Sequence, residues 1–150
     1  MFRGHFEHTV DDKGRVAIPA RFREALSGLQ EERLVITKFR LEGRRCLDVY
    51  PLVTWRKLEE RILAKRRFDP KLVRFKNFYV SGAHESVLDA QGRVHIAPLL
   101  REYAGLGREV MFTGDIDMFR LWDKATWQQA FGEDERAFLD DPEFLSEIDL

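Results

Sequence analysis

Two arginines of the chain share one local setting. Arg15 closes the run Asp11-Asp12-Lys13-Gly14-Arg15 and Arg93 closes Asp89-Ala90-Gln91-Gly92-Arg93, so each follows a glycine and lies four residues beyond an aspartate. A guanidinium at the base of a tight turn offers a planar fork of donors that fits a phosphate or the O6/N7 edge of guanine. A two-stranded β-ribbon is narrow enough to enter a DNA major groove. The same Asp and Arg can instead close an ion pair that stiffens the turn, and the two readings coexist if Asp aligns Arg for a ligand. Lys13, in the first turn, and Arg3, just upstream, would add phosphate contacts that position a protein without specifying sequence.

Other reactive side chains do not assemble into a site. Asp11 and Asp12 are adjacent, so on extended backbone they face opposite ways, a poor start for a general acid/base pair and a good one for turn formation. His5, His8, His84 and His95 lie on strands or turns with no paired cysteine and no His-Glu-x-x-His run, and they read as structural or surface histidines. Cys46, the single cysteine, reads as a small buried apolar residue. Neither a Gly-x-x-x-x-Gly-Lys loop nor a Gly-x-Gly-x-x-Gly turn is present to seat a nucleotide. No catalytic, cofactor-binding or metal-ligating residue is assigned, and a hydrolase built from Asp11, Asp12, Asp89 and the histidines is the weakest functional class.

The elements that must hold the two arginines occur twice. Residues 11–26 and 89–104 share seven identities in sixteen positions: the Asp, Gly and Arg of the turn, then Val16/Val94, Ile18/Ile96, Arg23/Arg101 and Glu24/Glu102. Average residue usage gives about one by chance. Leu34-Val35-Ile36-Thr37 resembles Val110-Met111-Phe112-Thr113, and Thr54-Trp55 resembles Thr126-Trp127. The chain reads as a tandem duplication, with a first unit at 1–67, a helical connector at 68–77, a second unit at 78–132 and an acidic C-terminal tail at 133–150. Within the first unit, alternation from Phe2 to Val10 predicts a strand, Asp11 to Gly14 a hairpin turn, Arg15 to Ile18 a strand, and Pro19 the start of a helix that stops near Gly28. Strands over 33–40 and 46–50 and a helix through Leu52, Trp55, Leu58 and Ile62 follow. Asp69-Pro70 opens a helical connector through Lys76. The second unit repeats the pattern, with strands near 80–88, 93–96, 109–114 and 117–122 and helices from Pro98 and Asp123. One such unit buries too little apolar area to stand alone, so the two pack around a pseudo-twofold axis that puts the turns in equivalent places.

With 150 residues, 44% hydrophobic and 34% charged, the chain suits one compact domain. No apolar run exceeds three residues, against the roughly 20 that span a bilayer, so no membrane partner and a cytoplasmic location are expected. The net charge of −1 conceals a dipole: residues 1–76 hold 19 Lys and Arg against 11 Asp and Glu, whereas residues 77–150 hold 6 against 15. A basic body with an acidic end suits an anionic partner.

The opening MFRGHFEHTVDDKGRVAIPARFRE, the second DAQGRVHIAPLLREYA and the overall length resemble the MraZ family, a tandem member of the AbrB-like swapped-hairpin superfamily, over about residues 1–130. The resemblance implies an α+β fold, a β-rich pseudo-twofold swapped-hairpin barrel from two tandem repeats with flanking short helices. It also implies a nucleoid-associated transcriptional regulator that forms a ring-shaped homo-oligomer. Such a protein represses its own division and cell-wall operon by binding G-rich direct repeats of double-stranded promoter DNA. By motif, Arg15 becomes the DNA-contacting residue, supported by Lys13, with Arg93 as its counterpart. Asp11, Gly14, Asp89 and Gly92 keep the turns. Ala97-Pro98 in place of Ile18-Pro19, and Gln91 in place of Lys13, make the second turn the weaker DNA contact. AbrB-like hairpin proteins also serve as antitoxins, so a protein interaction module is the alternative. Residues 133–150 match nothing the resemblance carries.

Overall fold

The computed structural model describes all 150 residues. Its elements are β1 (His5–Thr9), β2 (Arg15–Ala17), α1 (Ala20–Gly28), β3 (Arg33–Leu41), β4 (Arg44–Pro51), α2 (Leu52–Leu63), α3 (Pro70–Phe75), a π-helical turn (Lys76–Val80), β5 (His84–Val87), β6 (Arg93–His95), α4 (Pro98–Ala104), β7 (Glu109–Asp115), β8 (Met118–Asp123), α5 (Lys124–Leu139) and α6 (Phe144–Glu147). Local chemistry sets most boundaries. Asp69 caps α3, its carboxylate accepting from the Lys71 amide at 2.9 Å and the Leu72 amide at 3.2 Å, with Pro70 in the first turn. The connector runs further than its sequence suggests, because Tyr79 on the π-helical turn is drawn under Trp55 and is itself buried. The strand expected from residue 80 therefore starts only at His84. Helix α5 continues unbroken past residue 132.

Both expected turns form. The Gly14 amide donates to the Asp11 carbonyl at 3.0 Å, and the Gly92 amide to the Asp89 carbonyl at 3.0 Å. The strands they join, however, do not pair with one another. β1 pairs antiparallel with β7 of the second unit, β5 pairs antiparallel with β3 of the first, and β2 forms a separate two-stranded ribbon with β6. Crossing over in this way places Val16, Ile18, Val94 and Ile96 over the sheet, each nearly inaccessible to water, instead of along an edge.

The main sheet has the order β1-β7-β8-β4-β3-β5, so β1 and β5 are its two edges. This corrects the closed barrel expected from sequence: the fold is mixed α and β with mostly antiparallel strands. β2 and β6, at three residues each, pair only with each other and cannot join the two edges. The pseudo-twofold relation is nevertheless exact to the residue at two places. In the ribbon Val16 faces Val94, its own repeat counterpart, and in the sheet Asp48 of β4 faces Arg120 of β8.

Alternation along the central strands buries both faces of the sheet. Leu34, Ile36, Leu47, Val49, Val110, Phe112, Phe119 and Leu121 join Phe22 of α1, Leu100 of α4 and the ribbon in one core cluster. The intervening residues face the other way, Val35 toward Leu52, Trp55 and Tyr79, and Cys46, Met111 and Trp122 toward Trp127 and Ala130 of α5. Each fully buried Leu, Ile or Phe contributes about 1.5–3 kcal/mol. The ribbon thus lies on one side of the sheet, and α2 and α5 on the other.

Candidate nucleic-acid interface

Each turn is organised by its aspartate. Asp11 Oδ1 accepts from the backbone amides of Lys13 and Arg15, both at 2.9 Å, and Oδ2 accepts from Arg15 Nε at 2.8 Å. Asp89 repeats the arrangement, with the Gln91 and Arg93 amides on Oδ1 and Arg93 Nε on Oδ2, all at 2.9 Å. Gly14 and Gly92 sit at φ +80° and +72°, in the left-handed region that a side chain disfavours. The Asp–Arg ion pair and an outward Arg therefore coexist. Nε is spent on the carboxylate, while the terminal nitrogens lie beyond it.

Strand alternation aims these groups. In β2, Val16 points into the core and Arg15 away from it, and in β6 Val94 points in while Arg93 and His95 point out. Antiparallel register sets Arg15 opposite His95 and Ala17 opposite Arg93, so both guanidiniums share the outer face of one ribbon. They are not equally free. Arg15 makes no hydrogen bond through its terminal nitrogens, whereas Arg93 Nη2 donates to Gln91 Oε1 at 3.5 Å and Nη1 lies 4.0 Å from Asp11 Oδ2. Both side chains are about one-third exposed, at 35% and 30%.

The field of Arg15 also shows in its partner. The Arg15 amide chiefly, then its guanidinium and the Lys13 amide, outweigh partial burial and hold the Asp11 carboxyl down to about 2. Asp89 is held below its ordinary value in the same way, the Arg93 amide being the main cause. Both carboxylates stay charged at neutral pH and keep the arginines oriented.

Lys13 is exposed in the turn beside Arg15. Arg3 is not brought to this place: it precedes β1 beside the backbone of Gly114, while the turn follows β1. The whole strand separates them, four steps of roughly 3.3 Å each. Two further arginines, not singled out from sequence, reach the loops from across the pseudo-twofold. Arg23 of α1 packs against Gly92 and Arg101 of α4 against Gly14, where Arg101 Nε also donates to the Ile96 carbonyl at 3.1 Å. Their signal was present, since both are among the identities of the repeat.

The remaining chemistry lies elsewhere. Burial, with Arg23 nearby, lowers the pKa of His8, and His5 packs edge-on against Trp127 and Phe131. Cys46 is buried, and its thiol is pushed up to about 12 mainly by that burial. No three His, Cys, Asp or Glu side chains converge as metal ligands.

Known proteins resemble the chain over most or all of its length. The family model described as "MraZ protein, putative antitoxin-like" matches residues 1–78 and again 79–144. A curated relative from Acidithiobacillus ferrooxidans, named Transcriptional regulator MraZ, is 42% identical over 129 residues, 85% of each chain. The protein of that name from Thioalkalivibrio sulfidiphilus is 41% identical over 133 residues, 89% of this chain and 87% of its own. The one from Desulfitobacterium hafniense is 39% identical over 150 residues, the full length of both.

Proposed function

The chain belongs to the MraZ family, and from that premise we propose that it is a transcriptional regulator, not an enzyme, which binds double-stranded DNA through the outer face of the β2–β6 ribbon. Arg15 reads the guanine edge, Lys13 holds an adjacent phosphate, and Arg93 makes a second, weaker contact. The crossing of β1 and β2 between the units supports a swapped-hairpin arrangement within one chain. The observation that carries this reading is the free fork of Arg15: a guanidinium steadied through Nε, with no hydrogen bond from its terminal donors and a side chain about one-third exposed, at 35%. Arg3 lies past the far end of β1 and would meet only phosphates of a duplex that extends beyond the ribbon.

One copy offers few cations, and each neutralised phosphate adds only about −0.9 to the log–log salt slope, so a single subunit binds weakly. Head-to-tail homo-oligomers, a ring in this reading, set successive ribbons in one direction and suit G-rich direct repeats better than a palindrome. Linked contacts of this kind gain roughly 100-fold or more in affinity. The repeats would lie upstream of the protein's own division and cell-wall operon, with repression as the outcome, in the cytoplasm and on the nucleoid. No helix is long and apolar enough to cross a membrane.

Arg15→Ala tests the assignment. In quantitative footprinting it should lose protection of G-rich repeats, while its mass in solution and its thermal midpoint stay at the wild-type values. Protection that survives the substitution would remove Arg15 from the interface.

A further inference from the structure

Two surfaces away from the ribbon carry opposite charge and find no partner within the chain. Residues 61–76, from the end of α2 through α3, hold seven Lys and Arg against Asp69 alone, with Leu63 and Phe68 83% and 84% exposed among them. Residues 133–150, the outer part of α5 with α6, hold eight acids against Arg136, and Leu139, Ile148 and Leu150 stand exposed among these. Of all those charges only Glu133 has an ion-pair partner, and that is Arg44 at the β3–β4 turn.

The two surfaces are also the same place in the two units. Asp69-Pro70 opens α3 and Asp141-Pro142 precedes α6, at the spacing that separates Trp55 from Trp127. Charge reverses between counterparts: Arg61 matches Glu133, and Lys71 matches Glu143. Net charges of +6 and −7 on these two surfaces, each with exposed apolar side chains, are complementary in sign and in kind.

We propose that the acidic α5–α6 end of one copy docks on the basic α2–α3 surface of the next. The inference rests on the oligomer read above and names the surfaces that build it. Because donor and acceptor surfaces differ, the contact is heterologous: a growing assembly always keeps one free acidic end and one free basic surface, so it extends head to tail until it closes. Both surfaces follow helices that cover the sheet face opposite the ribbon, which leaves Arg15 accessible in every copy.

Charge reversal tests this on the full chain. One variant carries Lys65→Glu, Arg66→Glu and Lys71→Glu, and a second carries Asp140→Lys, Glu143→Lys and Glu147→Lys; Asp69, which caps α3, and Asp141, which accepts the Glu143 amide, stay in place. By mass photometry each variant alone should fall to the monomer. An equimolar mixture should recover the wild-type mass, because the acidic end of the first then meets the basic surface of the second, and the reversed surfaces meet likewise. Wild-type mass in either variant alone, or no recovery on mixing, overturns the proposal while leaving the oligomer intact as a reading. A monomeric wild type overturns both, with the Arg15→Ala footprint still deciding the ribbon. If the basic-surface variant keeps its mass and loses only binding to a non-specific duplex, those helices hold phosphates instead and the docking is wrong.

Discussion

Arg15 owes its aim to Asp11. The carboxylate takes two backbone amides and the guanidinium Nε, so turn and side chain are fixed by one group. Its pKa, lowered from 3.8 to about 2, sets the sign of the pH dependence. A carboxyl depressed in the fold contributes in full above its ordinary value and loses that contribution as pH falls through the folded value. The Arg15 Nε–H chemical shift in ¹⁵N NMR should therefore hold its paired position at pH 4 and move to the free position only toward pH 2; a free position already at pH 4 would mean that the pair does not form in solution. Asp11→Asn keeps an amide acceptor for the turn and removes the charge that steadies Nε. Binding to G-rich repeats should weaken roughly tenfold, within the range of one misaligned bidentate contact. Unchanged affinity would show that the guanidinium finds its place without Asp11.

Strand pairing raises a different question at the scale of elements, because the pseudo-twofold makes repeat counterparts face each other. Asp48 opposite Arg120 shows what duplication permits: two identical units would set like charges together there, whereas a tandem chain diverged to an ion pair at 2.8 Å. Tyr79, on the π-helical turn, donates to the same carboxylate and shares a 2.7 Å hydrogen bond with Tyr50, tying the connector to the sheet. Burial pushes Asp48 up, against Arg120 and the Tyr79 hydroxyl. Tyr79→Phe takes away one donor from the buried carboxylate and should cost about 1–3 kcal/mol in urea unfolding. The variant's Asp48 pKa rises further, and a raised carboxyl costs the fold nothing below its ordinary value of 3.8 and its full amount above its folded value, so the loss should be greater at pH 8 than at pH 3. A loss that is equal at both values would place the carboxylate outside this network.

For the whole molecule, the exchange of strands makes the halves interdependent. β1 and β2 of the first unit pair with β7 and β6 of the second, and β5 of the second pairs with β3 of the first. Residues 1–78 alone would expose the apolar edges those strands cover. They should be unfolded by circular dichroism, or folded only as a homodimer in which a second copy supplies the missing strands. A folded monomer in sedimentation would contradict the strand exchange. The same interdependence places both guanidiniums on one outer face, which neither unit could do by itself.

Much of this was legible in the residues. The Asp-x-x-Gly-Arg recurrence, the glycines that must take positive φ, the proline and aspartate boundaries of the helices and the charge dipole are local or periodic properties, and local sterics and capping decide them without reference to the rest of the chain. The counterpart of the basic connector was legible as well, since Asp141-Pro142 repeats Asp69-Pro70, but the acidic composition of 133–150 masked it as a tail. Which strand meets which was decided only in three dimensions. A turn brings two strands near each other, yet Val16 and Ile18 are buried with Val94 and Ile96 in one core, and that joint burial opened the expected barrel into a sheet with a ribbon above it. The free fork of Arg15 and the crossing of Arg23 and Arg101 to the opposite loops follow from the same choice, because a side chain's reach is fixed by where distant segments pack.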